Sequence, residues 1–307
     1  MSGSAPELGV DVGGVRMKNP VMVASGTFGY GQEYADLVDL NTLGAIVVKG
    51  IRLSAWEGNP PPRMVEVTGG LVNAIGLQGP GVAGFISDYL PFLRQFDTPV
   101  IVNVWGQTLE EYASVASALN GVPGVHGLEL NISCPNVKQG GLAFGSDPTM
   151  AARVVAAVRE ATGLPLIPKL APNVPDVAVF VRAVEEAGAD AISLINSVPA
   201  MVIDVDTRRP VLANKVGGLS GPAIHPIALK LVWEAARAAS VPIVGIGGIA
   251  GPREALAFLI AGASAVAVGT STFADPTTAN RVVAGLRDYL VEHDMSDVKE
   301  LVGTLQV

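Results

Sequence analysis

Pro99-Val100-Ile101-Val102 and Gly127-Leu128-Glu129-Leu130, with Leu109–Leu119 between them, decide how this chain folds. The outer two segments are short and largely apolar, as strands buried on both faces are. The middle segment carries apolar residues at helical spacing. This strand–helix–strand unit recurs along all 307 residues. One kind of strand is entered through proline: Pro20-Val21-Met22-Val23, Pro99-Val100-Ile101-Val102, Pro165-Leu166-Ile167 and Pro242-Ile243-Val244. The other kind is entered through a glycine turn, at Gly44-Ala45-Ile46-Val47-Val48, Gly127-Leu128-Glu129-Leu130, Gly188-Ala189-Asp190-Ala191-Ile192-Ser193-Leu194 and Gly262-Ala263-Ser264-Ala265-Val266-Ala267-Val268. The two kinds alternate. Helical spacing also marks residues 147–161, 174–187, 224–239 and 252–261, with start signals at Asp147-Pro148, Gly251-Pro252 and Asp275-Pro276. Eight strands alternating with helices predict a (β/α)8 TIM barrel formed by one domain over residues 1–307. The competing architecture, an open doubly wound sheet, usually has a G-x-G-x-x-G turn after its first strand, and Ser25-Gly26-Thr27-Phe28-Gly29 does not supply one.

Two additions to a minimal barrel are expected. Residues 8–18 read as an N-terminal β-hairpin turned at Gly13-Gly14, closing the barrel's bottom. Residues 50–98 and 197–222 read as long active-site loops, since long ordered loops on a barrel are usually functional.

Composition narrows the function. Hydrophobic residues make up 49% of the chain but aromatics only 5%, so the core must be mostly Val, Ala, Leu and Ile. A net charge of −8 argues against a nucleic-acid partner, which needs a basic face. One cysteine excludes an internal disulfide and a cysteine-ligated iron–sulfur cluster held by this chain alone. His126, His225 and His293 lie far apart without metal-site spacing, so no metal is expected. The first ten residues have neither a basic region nor an apolar run, so no signal peptide is expected. Residues 255–274 carry no charge, but Ala261-Gly262-Ala263-Ser264 interrupts them. They read as a helix end, a turn and a buried strand rather than a membrane span, and the expected location is cytoplasmic.

Barrel enzymes build their sites at the C-terminal ends of the strands. Here those positions hold Ser25, Lys49, Asn103, Asn131, Lys169, Asn196, Gly247-Gly248 and Gly269-Thr270. A single asparagine there more often caps a turn. Three asparagines with two lysines are a different matter, because two lysines at one mouth repel each other unless something anionic or electron-rich lies between them. Glycines after the last two strands let backbone N–H groups approach a phosphate; singly, such glycines mark only tight turns. A flavin would explain the set. Lys169 is suited to the N1/O2 edge, where reduced flavin carries negative charge, and Asn103 and Asn131 can offer amides to the ring or to a substrate. Just past the fourth strand stands the only cysteine, Cys134, in Asn131-Ile132-Ser133-Cys134-Pro135-Asn136. A lone cysteine is more often a small buried hydrophobe. A proline-stopped polar loop at a strand end instead makes it a candidate nucleophile or base.

That motif, together with Asn73-Ala74-Ile75-Gly76-Leu77, Ser25-Gly26-Thr27-Phe28-Gly29 and Gly217-Gly218-Leu219-Ser220-Gly221-Pro222, resembles the class 1 dihydroorotate dehydrogenases, which are FMN-dependent (β/α)8 enzymes of pyrimidine synthesis. The resemblance covers nearly the whole chain. It implies that Cys134 is the catalytic base. It implies substrate contacts from Lys49, Asn73, Ala74, Ile75, Gly76, Leu77, Asn131, Asn196 and Ser197. It implies FMN contacts from Ser25, Lys49, Gly50, Asn103, Asn131, Lys169, Ile195, Gly221, Gly247, Gly248, Gly269 and Thr270. Val137-Lys138-Gln139-Gly140-Gly141 resembles the B subclass. The resemblance implies a homodimer that forms a heterotetramer with an FAD/[2Fe–2S] electron-transfer subunit, which passes electrons to NAD.

The implied reaction is oxidation of dihydroorotate to orotate, in which Cys134 takes the C5 proton and FMN the C6 hydride. The alternatives are a class 1A enzyme using fumarate, another FMN barrel acting on a pyrimidine ring, Schiff-base chemistry at a strand-end lysine, or a non-catalytic scaffold barrel.

Overall fold

The computed structural model describes residues 5–133 and 145–306. Strands β1 (Val10–Val12) and β2 (Val15–Met17) form the antiparallel hairpin expected at the N-terminus. Their apolar residues Val10, Val12, Val15 and Met17 join the main core. The hairpin lies against the entrances of the barrel strands, where Gly13 meets the Asp190 backbone and Val15 meets Gly127.

The remaining strands, in chain order, are β3 (Val21–Val23), β4 (Ala45–Ile51), β5 (Met64–Val67), β6 (Gly70–Asn73), β7 (Val100–Val104), β8 (Gly127–Asn131), β9 (Leu166–Leu170) and β10 (Ile192–Leu194). They continue with β11 (Val198–Ala200), β12 (Ile203–Asp204), β13 (Arg209–Pro210), β14 (Gly217–Ser220), β15 (Ile243–Ile246) and β16 (Ala265–Val268). Eight of them close a parallel barrel in the order β3-β4-β7-β8-β9-β10-β15-β16, returning to β3. These are the eight segments read from the Pro/Gly alternation. The closed ring, with no free edge, is what separates this fold from the open doubly wound sheet.

Helices Leu109–Leu119, Pro148–Ala161, Val177–Glu186, His225–Ala238, Pro252–Ile260 and Thr278–Glu292 pack around the strands. Three of these starts are fixed by a side-chain cap. Thr108 Oγ1 accepts from Glu111 N, Asp147 Oδ1 accepts from Thr149 N at 2.8 Å, and Asp176 Oδ1 accepts from Ala178 N at 2.9 Å. The Asp176 cap is why that helix begins later than residue 174. The expected start at Asp275-Pro276 is early by two residues. Asp275 Oδ1 accepts from Thr277 N at 2.9 Å, which holds a turn, and the helix follows from Thr278. Between β3 and β4 the chain makes only the 3-10 turns Gln32–Tyr34 and Leu40–Thr42 in place of an α-helix.

The two long connections are not simply loops. Segments from both combine into one antiparallel sheet, ordered β11-β14-β6-β5, beside the mouth of the barrel. Its strands are short, rich in glycine and proline, and only partly buried, so they lack the apolar runs that mark the barrel strands. Val72, Ala74 and Leu212 give this sheet a small core of its own. Among the described residues, no helix is long and apolar enough to cross a membrane. Nor does any group of three His, Cys, Asp or Glu side chains gather to hold a metal ion.

Candidate active site

The C-terminal ends of the barrel strands open into one cavity. Its polar floor is a chain of side-chain hydrogen bonds running across strands. Asn131 ends β8, and its Nδ2 donates to Asn103 Oδ1 on β7 at 3.4 Å. Asn196, just past β10, donates to Asn131 Oδ1 at 3.4 Å and to Ser133 Oγ at 3.1 Å. Its own Oδ1 accepts from Ser197 N at 2.8 Å. Tyr112 Oη, from the helix behind, donates to the Asn131 carbonyl at 2.7 Å and fixes that strand end. Gly50 makes room for this arrangement, since a Cβ there would stand 2.9 Å from Asn103 Oδ1.

Beneath the floor lies a carboxylate that the strand-end reading did not pick out. Glu129, on β8, is 3% exposed. Its Oε2 accepts from Asn103 Nδ2 at 2.6 Å and from Ser25 Oγ at 3.1 Å, and its Oε1 accepts from Ser193 Oγ at 3.0 Å. Lys169 Nζ stands 3.7 Å from the same Oε2 and donates to Ser25 Oγ at 3.4 Å. Both side chains of this ion pair are almost wholly buried. Removing one partner of such a pair costs about 3–5 kcal/mol, because the other charge is left buried without compensation. The signal in the sequence was one ionisable residue inside an otherwise apolar barrel strand, where a buried charge demands a partner.

Opposite the asparagines, Gly221, Gly247, Gly248, Gly269 and Thr270 line the cavity. Thr270 Oγ1 donates to Ser220 Oγ at 2.8 Å, linking this arc to the small sheet. Gly248 has φ 68°, and a Cβ there would lie 2.6 Å from His225 Cβ, so both backbone and packing require glycine. Gly269 is different: its φ is not left-handed, and a Cβ would meet its nearest protein atom only at 3.6 Å. The space that its missing side chain leaves is cavity.

The remaining wall comes from the connection after β4. Lys49 does not end that strand, which continues through a bulge to Ile51. Burial, reinforced by the nearby Arg63 guanidinium, pulls the Lys49 ammonium below its ordinary range, although Glu33 opposes the shift. Asn73, Ile75, Gly76 and Leu77 line the cavity. Their loop is clamped by Trp56 Nε1, which donates to the Gly76 carbonyl at 3.0 Å, and by Asn59 Nδ2, which donates to the Ala74 carbonyl at 3.0 Å. Leu77 is held at φ 60°, an uncommon conformation for a branched side chain. Ala74 differs from its neighbours in that it is buried in the small sheet's core with Val72 and Leu212 and is not among the residues lining the cavity. Its N–H is used as well, donating to the Arg63 carbonyl at 2.8 Å.

Ser25, Lys49, Gly50, Asn103, Asn131, Lys169, Ile195, Asn196 and Ser197 thus share one cavity with the glycine arc. Cys134 and the Val137-Lys138-Gln139-Gly140-Gly141 stretch lie outside the described residues. Besides Glu129, residue-by-residue reading missed Met64, Leu71, Ser220 and Ser271 on the cavity wall. Met64 and Leu71 come from the small sheet, which the sequence did not foretell.

Fold and site together define the class: a (β/α)8 barrel enzyme whose strand-end cavity carries two lysines, an asparagine chain and a glycine arc open to an anionic group. Residues 7–290 match the family described as dihydroorotate dehydrogenase, and the chain belongs to that family. It is 56% identical over 302 residues to the dihydroorotate dehydrogenase B (NAD(+)), catalytic subunit, of Geotalea daltonii, covering 98% of this chain and 99% of that protein. It is 56% identical over 300 residues to the protein of the same name from Geotalea uraniireducens, covering 98% of each. The Geobacter sp. strain M21 protein, also so named, is 54% identical over 302 residues, covering 98% of this chain and 99% of its own length. The B-subclass expectation agrees with these names.

Proposed function

We propose that this chain oxidises dihydroorotate to orotate in pyrimidine synthesis, as an FMN-bearing catalytic subunit within residues 1–307. The observation that carries this reading is the convergence of Lys49, Asn131, Asn196 and Lys169 on one cavity that also holds the glycine arc. The residues present fit FMN. The open space at Gly269, flanked by Gly248 and Thr270, suits a phosphate, and buried Asn103 and Lys169 suit the polar edge of a planar ring. Bound FMN supplies the acceptor for the C6 hydride.

The protein's own residues do the rest. The Lys49 ammonium pairs with the substrate carboxylate, and the amides of Asn73, Asn131 and Asn196 hold the ring's N–H and C=O groups. Cys134 takes the C5 proton, which is acidified by the adjacent carbonyl. Electrons then leave through a partner subunit carrying FAD and a [2Fe–2S] cluster to NAD, from a homodimer that binds one partner per copy. Supporting the partner is the single cysteine of this chain, which cannot hold a cluster by itself. The cytoplasm is the proposed location.

The test is the absorption spectrum of the purified chain under anaerobic conditions. A yellow protein that bleaches on adding dihydroorotate is expected. A colourless protein, or a flavin spectrum that dihydroorotate leaves unchanged, overturns the reading.

A further inference from the structure

Glu129 touches three residues of the cavity wall without lining the cavity itself. Its oxygens accept from Asn103, Ser25 and Ser193, side chains carried by three separate segments of the barrel. Every neutral donor in this set is aimed at a negative charge, and the arrangement fixes the carboxylate beside Lys169 Nζ. The two charges share one buried layer. There, water screens them little, and the cavity feels the sum of their opposed potentials.

We propose that Glu129 is a positioning residue that sets, through Lys169, how strongly the protein favours a reduced over an oxidised cofactor. This rests on the flavin reading above. A lysine with no counter-charge would project its full positive potential at a ring that gains negative charge on reduction. With Glu129 beside it the pair is close to neutral, so reduced flavin is held less tightly and its electrons are easier to pass on. The carboxylate also holds the ammonium at the floor, while Asn103 keeps its Oδ1 turned toward Asn131 because its Nδ2 is engaged by Glu129.

The experiment measures FMN occupancy and the midpoint potential of bound flavin in four proteins: wild type, Glu129→Gln, Lys169→Met and the double variant. Glu129→Gln should raise the ratio of reduced to oxidised FMN affinity at least tenfold, a rise of about 30 mV for a two-electron couple. Lys169→Met should lower the potential. The double variant should match Lys169→Met alone, because a carboxylate buried without its counter-ion takes up a proton and leaves no charge for the glutamine to remove. An unmoved potential in Glu129→Gln, or an equal rise with the lysine absent, overturns the proposal. Should Glu129→Gln fail to fold, the double variant leaves no unpaired buried ion and still decides. A potential equal to that of Lys169→Met supports the proposal, and a departure from it overturns it. A wild-type chain that takes up no FMN overturns both readings, whereas full occupancy with an unmoved potential overturns only this one.

Discussion

Asn196 donates one side-chain amide to both Asn131 and Ser133, tying the segment after β10 to the end of β8 and to the residue that precedes Cys134 in the chain. A link of this kind registers the two sides of a substrate ring against each other. Asn196→Ala removes both hydrogen bonds, each contributing about 0.5–1.5 kcal/mol. The expected result is a rise in KM for dihydroorotate of roughly fivefold to a hundredfold, read from the concentration dependence of flavin bleaching under anaerobic conditions. An unchanged KM would remove Asn196 from the substrate site.

Cys134→Ala should leave FMN bound and its spectrum normal. Bleaching by dihydroorotate should slow by about two or more orders of magnitude, the usual scale for losing a general base. Stopped-flow absorbance measures both properties on one sample, and near-wild-type bleaching would take Cys134 out of the mechanism.

Lys49 makes a prediction about pH. Its folded-state pKa lies below the ordinary 10.5, chiefly because of burial, while the unfolded chain keeps the ordinary value. Between the two values the unfolded state holds the extra proton, so stability rises with pH across that window and is lost again as pH falls through the lowered value. Lys49→Met should abolish this slope. Its thermal midpoint should exceed that of wild type most at neutral pH, and the gap should narrow as pH approaches 10.5. In the wild-type enzyme, KM should climb over the same window, because a neutral lysine no longer pairs with a carboxylate.

Two glycines of the arc should respond in opposite ways. Gly248→Ala forces an L side chain to φ 68° and against His225, and should destabilise the protein by about 1–3 kcal/mol. Gly269→Ala meets neither obstacle. Its flavin-free form should melt within a degree or two of wild type, yet its FMN should dissociate several-fold faster, as fluorescence recovery on dilution would show. Equal FMN retention in Gly269→Ala and wild type would mean that the cofactor does not reach this arc.

The isolated chain should reduce an artificial dye with dihydroorotate while leaving NAD largely untouched, and should contain no stoichiometric iron. Robust NAD reduction without a partner would defeat the two-subunit reading, and efficient turnover with fumarate would favour the A subclass.

The barrel was legible because parallel strands buried on both faces must be continuously apolar, and Val100 to Val102 or Val266 to Val268 can be little else. The polar strand ends were legible by contrast with those runs. The small sheet was not, since Met64–Val67 is half-exposed and Gly217–Ser220 is glycine-rich and pairs with a strand far away in sequence. Glu129 is hidden in the sequence because the last residue of each strand marks the cavity wall, whereas its side chain works one layer deeper. Ala74 packs away from Asn73 and Ile75 because alternate residues of an extended segment face opposite ways.

The union of β6 with β14 has a consequence for biosynthesis. Asn73 Nδ2 donates to the Gly218 carbonyl at 3.3 Å across a separation of 145 residues. A growing chain therefore emerges with β5 and β6 already able to pair as a hairpin, but with the other edge of β6 open until Gly217–Ser220 has been made. An open edge is a template for pairing with a stranger. The glycine that starts β6 and the proline-rich stretch Asn59-Pro60-Pro61-Pro62-Arg63 just ahead of β5 make this hairpin a poor template while it waits. This wall of the cavity thus waits for Gly217–Ser220 to leave the ribosome, long after β5 and β6 have been made.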